Sequence, residues 1–125
     1  MASEILNRLI DRYCEAWREM DTGERKALIE SLWADGATYT DPSVHAHNAA
    51  ELLAHIERVV SRRPGARIER ISAIDMHHRV ARFAWQLVQA DGTRLPEGVD
   101  IAWISQDGTR IERIIGFFGP LKAAH

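Results

Sequence analysis

The stretch LWADGATYTDP, residues 32–42, joins two kinds of secondary structure. Ala34, Asp35 and Gly36 stop a helical pattern, because Asp and Gly favour turns over helix interiors. Residues 37–41 then have the pattern of a short strand. Pro42 ends that strand, and the residue before a proline avoids the helical region. The stretch therefore predicts a change from helix to strand near its centre.

Three helices are predicted around and before this point. Apolar side chains recur at helical spacing, with charged side chains on the opposite side. A capping residue followed by Glu three positions later predicts where two of the helices begin. The predicted helices are Ser3–Met20, one that begins at Asp21 and Glu24 and runs to about Trp33, and one that begins at Asn48 and Glu51 and ends at Arg62, Arg63, Pro64 and Gly65.

After Gly65 the apolar pattern has a period of two, which is typical of strands. Asp91-Gly92 and Asp107-Gly108 are typical of hairpin turns and separate the last three predicted strands. The order predicts an α+β fold, with three N-terminal helices packed on one face of a mostly antiparallel sheet. If that sheet is strongly curved, the helices and the sheet enclose a pocket. The predicted strands are residues 67–75, 79–90, 94–105 and 110–118.

Composition excludes several classes of protein. The 125 residues suffice for a single domain, residues 1–125, with one core. Hydrophobic residues make up 46% and the formal net charge is −2, which argues against disorder and against nucleic-acid binding by clustered Lys and Arg. Cys14, the only cysteine, cannot form an internal disulfide. No secretory signal and no apolar run of about 18 residues is present, so we expect a cytoplasmic protein without a membrane partner.

Three ionisable side chains interrupt apolar patterns. Tyr13 lies on the apolar stripe of the first helix, where core packing is the simpler explanation. Asp41 ends the short strand, where a turn-forming aspartate is the simpler explanation. Asp100 lies in the apolar run of residues 98–104, and Asp is depleted in strands. A buried carboxyl must be neutral, hydrogen-bonded or ion-paired, and the available strand arginines are Arg82 and Arg113.

The order of elements and the segment of residues 32–42 resemble the NTF2-like superfamily of α+β cones. Segments of the type LFADDATVEDP occur in that superfamily. It includes nuclear transport factor 2, the SnoaL-like polyketide cyclases, scytalone dehydratase and ketosteroid isomerase. The resemblance covers nearly the whole chain at the level of element order and implies a cone-shaped fold with a pocket.

The same resemblance implies a catalytic set, because the three ionisable positions fall where ketosteroid isomerase carries its catalytic groups. Asp41 would be the general base, and Tyr13 and a protonated Asp100 would donate hydrogen bonds to the oxyanion. The implied reaction is proton transfer next to a carbonyl in a hydrophobic small molecule. An isomerase and another lyase or cyclase of the SnoaL-like or dehydratase kind remain as alternatives. A non-catalytic ligand-binding dimer and an interaction module that uses the convex sheet face remain open as well.

Neighbouring residues narrow these alternatives. His45 and His47 follow Asp41 closely, which is more typical of the dehydratase and hydrolase branches. The Arg-x-Asp pair of limonene epoxide hydrolase is missing, because Gly98 stands two positions before Asp100.

The predicted ligand is a flat or hydrophobic molecule with a carbonyl or hydroxyl group. Cofactors are not expected. A nucleotide is not expected either, because the sequence has no Gly-rich phosphate loop after a predicted strand. A metal is not expected, because the histidines lack structural zinc spacing. His55 is expected at the flank of the third helix and Cys14 in the core. The predicted ligand contacts are Trp17, Trp33, Phe118 and His45, and no role is assigned to His47, His77 and His78.

Alternation along residues 99–104 also predicts the assembly. If Asp100, Ala102 and Ile104 face the cavity, the outer sheet face carries Val99, Ile101 and Trp103, with Phe83 or Trp85 on a neighbouring strand. A homodimer through this face would cover them. On the inner face, burial should raise the pKa of Asp100, whereas water at the pocket mouth should keep Asp41 ionised.

Overall fold

The computed structural model describes residues 2–124, which contain three helices and seven strands. The helices are α1 (Ala2–Ala16), α2 (Thr22–Leu32) and α3 (Ala49–Arg62). The strands are β1 (Trp33–Asp41), β2 (Val44–Ala46), β3 (Arg67–Arg70), β4 (Asp75–His77), β5 (Val80–Val88), β6 (Gly98–Ile104) and β7 (Ile111–Phe118). The predicted α+β class is therefore confirmed.

Side-chain caps fix the starts of α2 and α3. Asp21 accepts a hydrogen bond from the backbone N–H of Glu24 at 2.9 Å, and Asn48 accepts one from that of Glu51 at 2.9 Å. Both predicted helix starts are confirmed. The predicted extension of the first helix to Met20 is wrong, because α1 ends at Ala16 in a tight turn.

The strands form one mixed sheet in the order β2-β1-β7-β6-β5-β3, with β4 also paired to β5. β1 runs parallel to β7, and the other pairs are antiparallel. The mostly antiparallel character is as predicted. The short strand β2 was not predicted. It forms because the Asp41 carboxylate accepts the N–H groups of Ser43 and Val44 and so turns the chain back.

The predicted strand of residues 67–75 is divided into β3 and β4. Ala84 of β5 donates its backbone N–H to the Ser72 hydroxyl at 2.8 Å, so a side chain replaces a ladder carbonyl there. The predicted strand of residues 94–105 is shorter, because β6 begins at Gly98. Pro96 precedes it and has no N–H for a sheet ladder.

The register assigns each side chain to a sheet face. Phe83 lies opposite Asp100, and Trp85 opposite Gly98, so all four share the concave face that the helices cover. The expectation that Phe83 or Trp85 lies on the outer face is therefore wrong. Ile101, which lies opposite Arg82, is on the convex face with Val99 and Trp103.

The core lies between the concave face and the helices, and its largest fully buried side chains come from both layers. The largest buried side chains are Tyr13, Ile10, Ile29, Leu32, Leu52, Ile56, Ile111, Ile114 and Val88.

None of the helices within residues 2–124 has the length and apolar character needed to cross a membrane.

Candidate active site

A cavity of about 1080 Å³ lies between the concave sheet face and the helices α1 and α3. Tyr13, Asp41 and Asp100 all line it, although they come from α1, β1 and β6. The fold thus brings the three predicted ionisable residues to one cavity. Its walls are mainly apolar and include Val59 and Phe83.

Two glycines make room for Asp100 and for Trp85, its hydrogen-bond partner. A Cβ at Gly116, its neighbour on β7, would lie 2.7 Å from Asp100 Oδ1, which is closer than real Cβ atoms approach. A Cβ at Gly98 would lie 2.3 Å from the indole ring of Trp85. That indole lies over the glycine, and its Nε1 donates a hydrogen bond to Asp100 Oδ1 at 2.9 Å.

Asp100 is buried, and no arginine is paired with it in the described part of the chain. Arg82 pairs with Asp75 at 3.0 Å, and the Arg113 guanidinium lies 5.1 Å from the Trp103 ring centroid. Burial raises the pKa of Asp100 to about 7, although the Trp85 bond lowers it; the charge of Asp41 raises it further. The ion-paired alternative for Asp100 is therefore wrong.

Asp41 has the opposite electrostatic setting. Its Oδ1 accepts hydrogen bonds from the Ser43 N–H and hydroxyl, both at 2.7 Å, and from the Val44 N–H at 3.1 Å. Its Oδ2 accepts the Tyr39 hydroxyl at 2.7 Å. Burial would raise the Asp41 pKa, but His55 and these donors outweigh it and hold the pKa well below its usual value. Asp41 is thus kept ionised by donors, and the expectation that water at the mouth does so is wrong.

His55 on α3 lies beside Asp41. It is buried, it lines the cavity, and its Nε2 lies 3.3 Å from Asp41 Oδ2. The sequence contains a pattern that indicates this buried position. His55 follows Leu52 by three positions and precedes Val59 by four, which is the spacing of one helix face. The expectation that His55 lies at the flank of the third helix is therefore wrong.

An aromatic cluster holds the tyrosines around this pair. Tyr13 stacks on Trp33 with ring centroids 6.3 Å apart, and Trp17 contacts the rings of Tyr39 at 5.8 Å and His55 at 5.7 Å. Burial raises the pKa of both Tyr13 and Tyr39 well above the usual value. Both phenols therefore stay neutral and able to donate hydrogen bonds. Tyr39 was not among the predicted site residues.

The four predicted ligand contacts divide into two groups. Trp17 and Phe118 line the cavity. Trp33 does not, because it lies in the core beyond Tyr13 and its Nε1 donates to the Ala37 carbonyl at 3.1 Å. His45 is exposed, outside the cavity lining, with its Nδ1 2.6 Å from the Thr40 hydroxyl. The predicted placements of Trp33 and His45 are thus corrected.

The remaining histidines lie away from the cavity. His47, His77 and His78 are exposed, and His47 pairs with Glu51 at 3.0 Å. Within the described residues, no three His, Cys, Asp or Glu side chains are grouped so that they could hold a metal ion. Cys14 is buried at the cavity wall, and burial raises the pKa of its thiol to about 12, so it carries no thiolate at neutral pH.

The cavity is lined by side chains suited to two kinds of chemistry. Tyr13, and Asp100 in the protonated form that its raised pKa of about 7 favours, are buried donors that suit an oxygen atom that gains negative charge. The Asp41–His55 pair combines an ionised carboxylate with an imidazole, which suits proton transfer.

The structure of this chain is similar to several solved protein structures. A candidate isomerase of the SnoaL-like family from Agrobacterium tumefaciens has a TM-score of 0.86 and 28% identity, with 94% of this chain and 99% of that chain covered. A candidate ketosteroid isomerase from Kribbella flavida has a TM-score of 0.68 and 18% identity over 98% and 83% of the two chains. A candidate polyketide cyclase from Sinorhizobium meliloti has a TM-score of 0.68 and 14% identity over 87% and 93%. No family model and no curated protein sequence matches the chain.

Proposed function

We propose that this chain, which has the NTF2-like fold, binds a hydrophobic carbonyl compound and catalyses proton transfer at the carbon next to the carbonyl. The observation that carries the proposal is Asp100, a carboxyl with its pKa raised to about 7 in an apolar cavity beside a buried tyrosine. Such a group donates a hydrogen bond that an ionised carboxylate could not.

In this mechanism Asp100 and Tyr13 bind the carbonyl oxygen. Trp85 already occupies Asp100 Oδ1, so the proton belongs on Oδ2 and is available to the ligand. As the proton leaves carbon, negative charge moves onto the carbonyl oxygen, where the two donors stabilise it. Loss of one such donor typically costs about 10²–10³ in rate.

The contacts of Asp41 favour His55 as the group that takes the proton. Both Asp41 oxygens already accept hydrogen bonds, and the low pKa makes this carboxylate a weak base. When Asp41 accepts the Nε2 proton of His55, the other ring nitrogen, Nδ1, has the lone pair that a base needs. His55 would take the proton from carbon and return it to the same or a conjugated carbon, while Asp41 stabilises the imidazolium.

Proton exchange tests the proposal directly. β-Tetralone, a bicyclic ketone, should exchange its α-hydrogens for deuterium faster with the protein than in buffer, as measured by proton NMR. We expect His55→Gln to abolish the acceleration and Tyr13→Phe to reduce it about 100-fold. His45→Gln, which changes an exposed histidine, is the matched control.

The same assay separates the second candidate, a non-catalytic binding protein. The contacts of Asp41 favour that candidate. Both of its carboxylate oxygens already accept hydrogen bonds, so His55 is the only member of the proposed pair that is left to act as a base. Binding of β-tetralone without accelerated exchange, or full exchange in His55→Gln, would contradict the catalytic mechanism.

A further inference from the structure

The cavity extends well beyond the Asp100 site and ends at a basic rim. Arg62 and Arg63, at the end of α3, line this part of the cavity together with Gln89 and Asp91 beyond the end of β5. The proposed reaction uses none of these four residues. The rim is therefore free to recognise another part of the ligand.

The spacing of α3 measures the distance from the base to the rim. His55, Val59 and Arg62 all line the cavity and are separated by four and three positions, so they share one helix face. Seven residues at 1.5 Å each put Arg62 about 10 Å beyond His55 along the helix axis.

The spacing of β5 gives a second measure. Phe83, Trp85, Leu87 and Gln89 line the cavity at alternate positions, and Phe83 lies opposite Asp100. Six residues at about 3.3 Å put Gln89 about 20 Å from Phe83. The Arg63 guanidinium donates to the Gln89 side-chain carbonyl at 3.3 Å, which joins the two walls at the rim.

The charges at the rim favour an anion. Among the described residues, no carboxylate lies within ion-pair distance of Arg62 or Arg63. Asp91 brings one negative charge to the same rim, but its Oδ1 accepts the Thr93 N–H at 2.8 Å. The rim therefore carries two guanidinium groups and one carboxylate that is already hydrogen-bonded.

We propose that the ligand carries an anionic oxygen group, a carboxylate in the simplest case, about 10–20 Å from its reacting carbonyl. The apolar body lies along Val59, Trp85 and Leu87, and the anion lies at Arg62 and Arg63. This inference rests on the proposed function, because the position of the carbonyl at Asp100 defines the other end of the ligand. It names the substrate class as hydrophobic keto acids.

A matched pair of ligands tests the inference. The probe is a hydroxynaphthyl propanoic acid with its hydroxyl and side chain at opposite ends of the ring system, compared with its uncharged primary amide by naphthol fluorescence. We expect the acid to bind about fivefold more tightly than the amide at low salt, and less so at high salt. Arg62→Gln/Arg63→Gln should remove the difference. Arg8→Gln/Arg12→Gln, which removes two exposed charges on α1 outside the cavity lining, should preserve it.

The outcomes distinguish this inference from the proposed function. Equal affinity for acid and amide, binding of neither, or a preference that survives Arg62→Gln/Arg63→Gln would overturn the anionic ligand. The exchange of β-tetralone by the wild-type protein reports on the proposed function separately, since that ketone has no anionic group.

Discussion

Replacement of Asp100 by Asn should stabilise the protein at alkaline pH. Asn has nearly the shape of the protonated acid, so its carbonyl still accepts the Trp85 Nε1–H and its amide still donates into the cavity. The substitution removes the proton that Asp100 must lose at high pH. It therefore isolates the free energy of burying this carboxylate.

The magnitude follows from the pKa of Asp100. Its pKa is about 7 in the fold and 3.8 for the ordinary side chain, a difference of about three units. Between these values the native state holds a proton that the unfolded chain has released, so stability falls as pH rises. At 1.36 kcal/mol per unit, the loss amounts to about 4 kcal/mol above pH 7. Asp100→Asn has no such loss.

Urea unfolding followed by circular dichroism at about pH 4 and about pH 8 measures this effect. The free energy of unfolding of Asp100→Asn minus that of the wild type should increase by about 4 kcal/mol between the two pH values. Asp35→Asn, at an exposed position, is the matched control. A difference that stays constant or decreases with rising pH would refute a neutral Asp100, and with it the proposed oxyanion site.

Three further predictions concern the neighbours of Asp100 and the outer sheet face. The pKa of Asp41 is lowered, so its charge stabilises the fold above about pH 3.8 and that contribution is lost at lower pH; Asp41→Asn should cost about 2–3 kcal/mol in urea unfolding at neutral pH and less near pH 3, and a cost independent of pH would contradict this. Gly116→Ala should lower stability by about 1–3 kcal/mol in thermal unfolding because the added Cβ meets Asp100 Oδ1, and an equal loss in an Asp100→Ala background would argue against that contact. We propose a homodimer through the convex face, so Ile101→Glu should convert a dimer to a monomer in sedimentation at tens of micromolar; a wild-type mass of 14.2 kDa would contradict the proposal.

Features that depend on neighbouring residues could be predicted from the sequence. The caps at Asp21 and Asn48 join side chains to N–H groups three residues later, so the local pattern suffices. Alternation along one strand predicted that Asp100 shares a sheet face with Ala102 and Ile104, but it did not predict which face the helices cover. The α+β class followed from the order of helical and strand patterns.

Features that join distant parts of the chain could not be predicted in this way. The parallel pairing of β1 with β7 has no local signal, because it connects the first strand to the last. Whether Asp100 meets an arginine or Trp85 depends on the space above Gly98, which only the register of β5 and β6 defines. The Asp41–His55 contact likewise depends on where α3 lies over β1.

The central place of β7 also has a consequence for the order of folding. β7 lies between β1 and β6, so Asp41 and Asp100 become near neighbours only after β7 has paired with both of these strands. Pairing β7 with β1 closes the long loop of chain between the first and the last strand. Closing this loop is slow relative to the formation of local helices and hairpins. We therefore expect the carboxyl pair to form after the rate-limiting barrier. A chevron analysis of Asp100→Asn at alkaline pH should then show a slower unfolding limb and a nearly unchanged refolding limb, and the reverse would place the site in the folding nucleus.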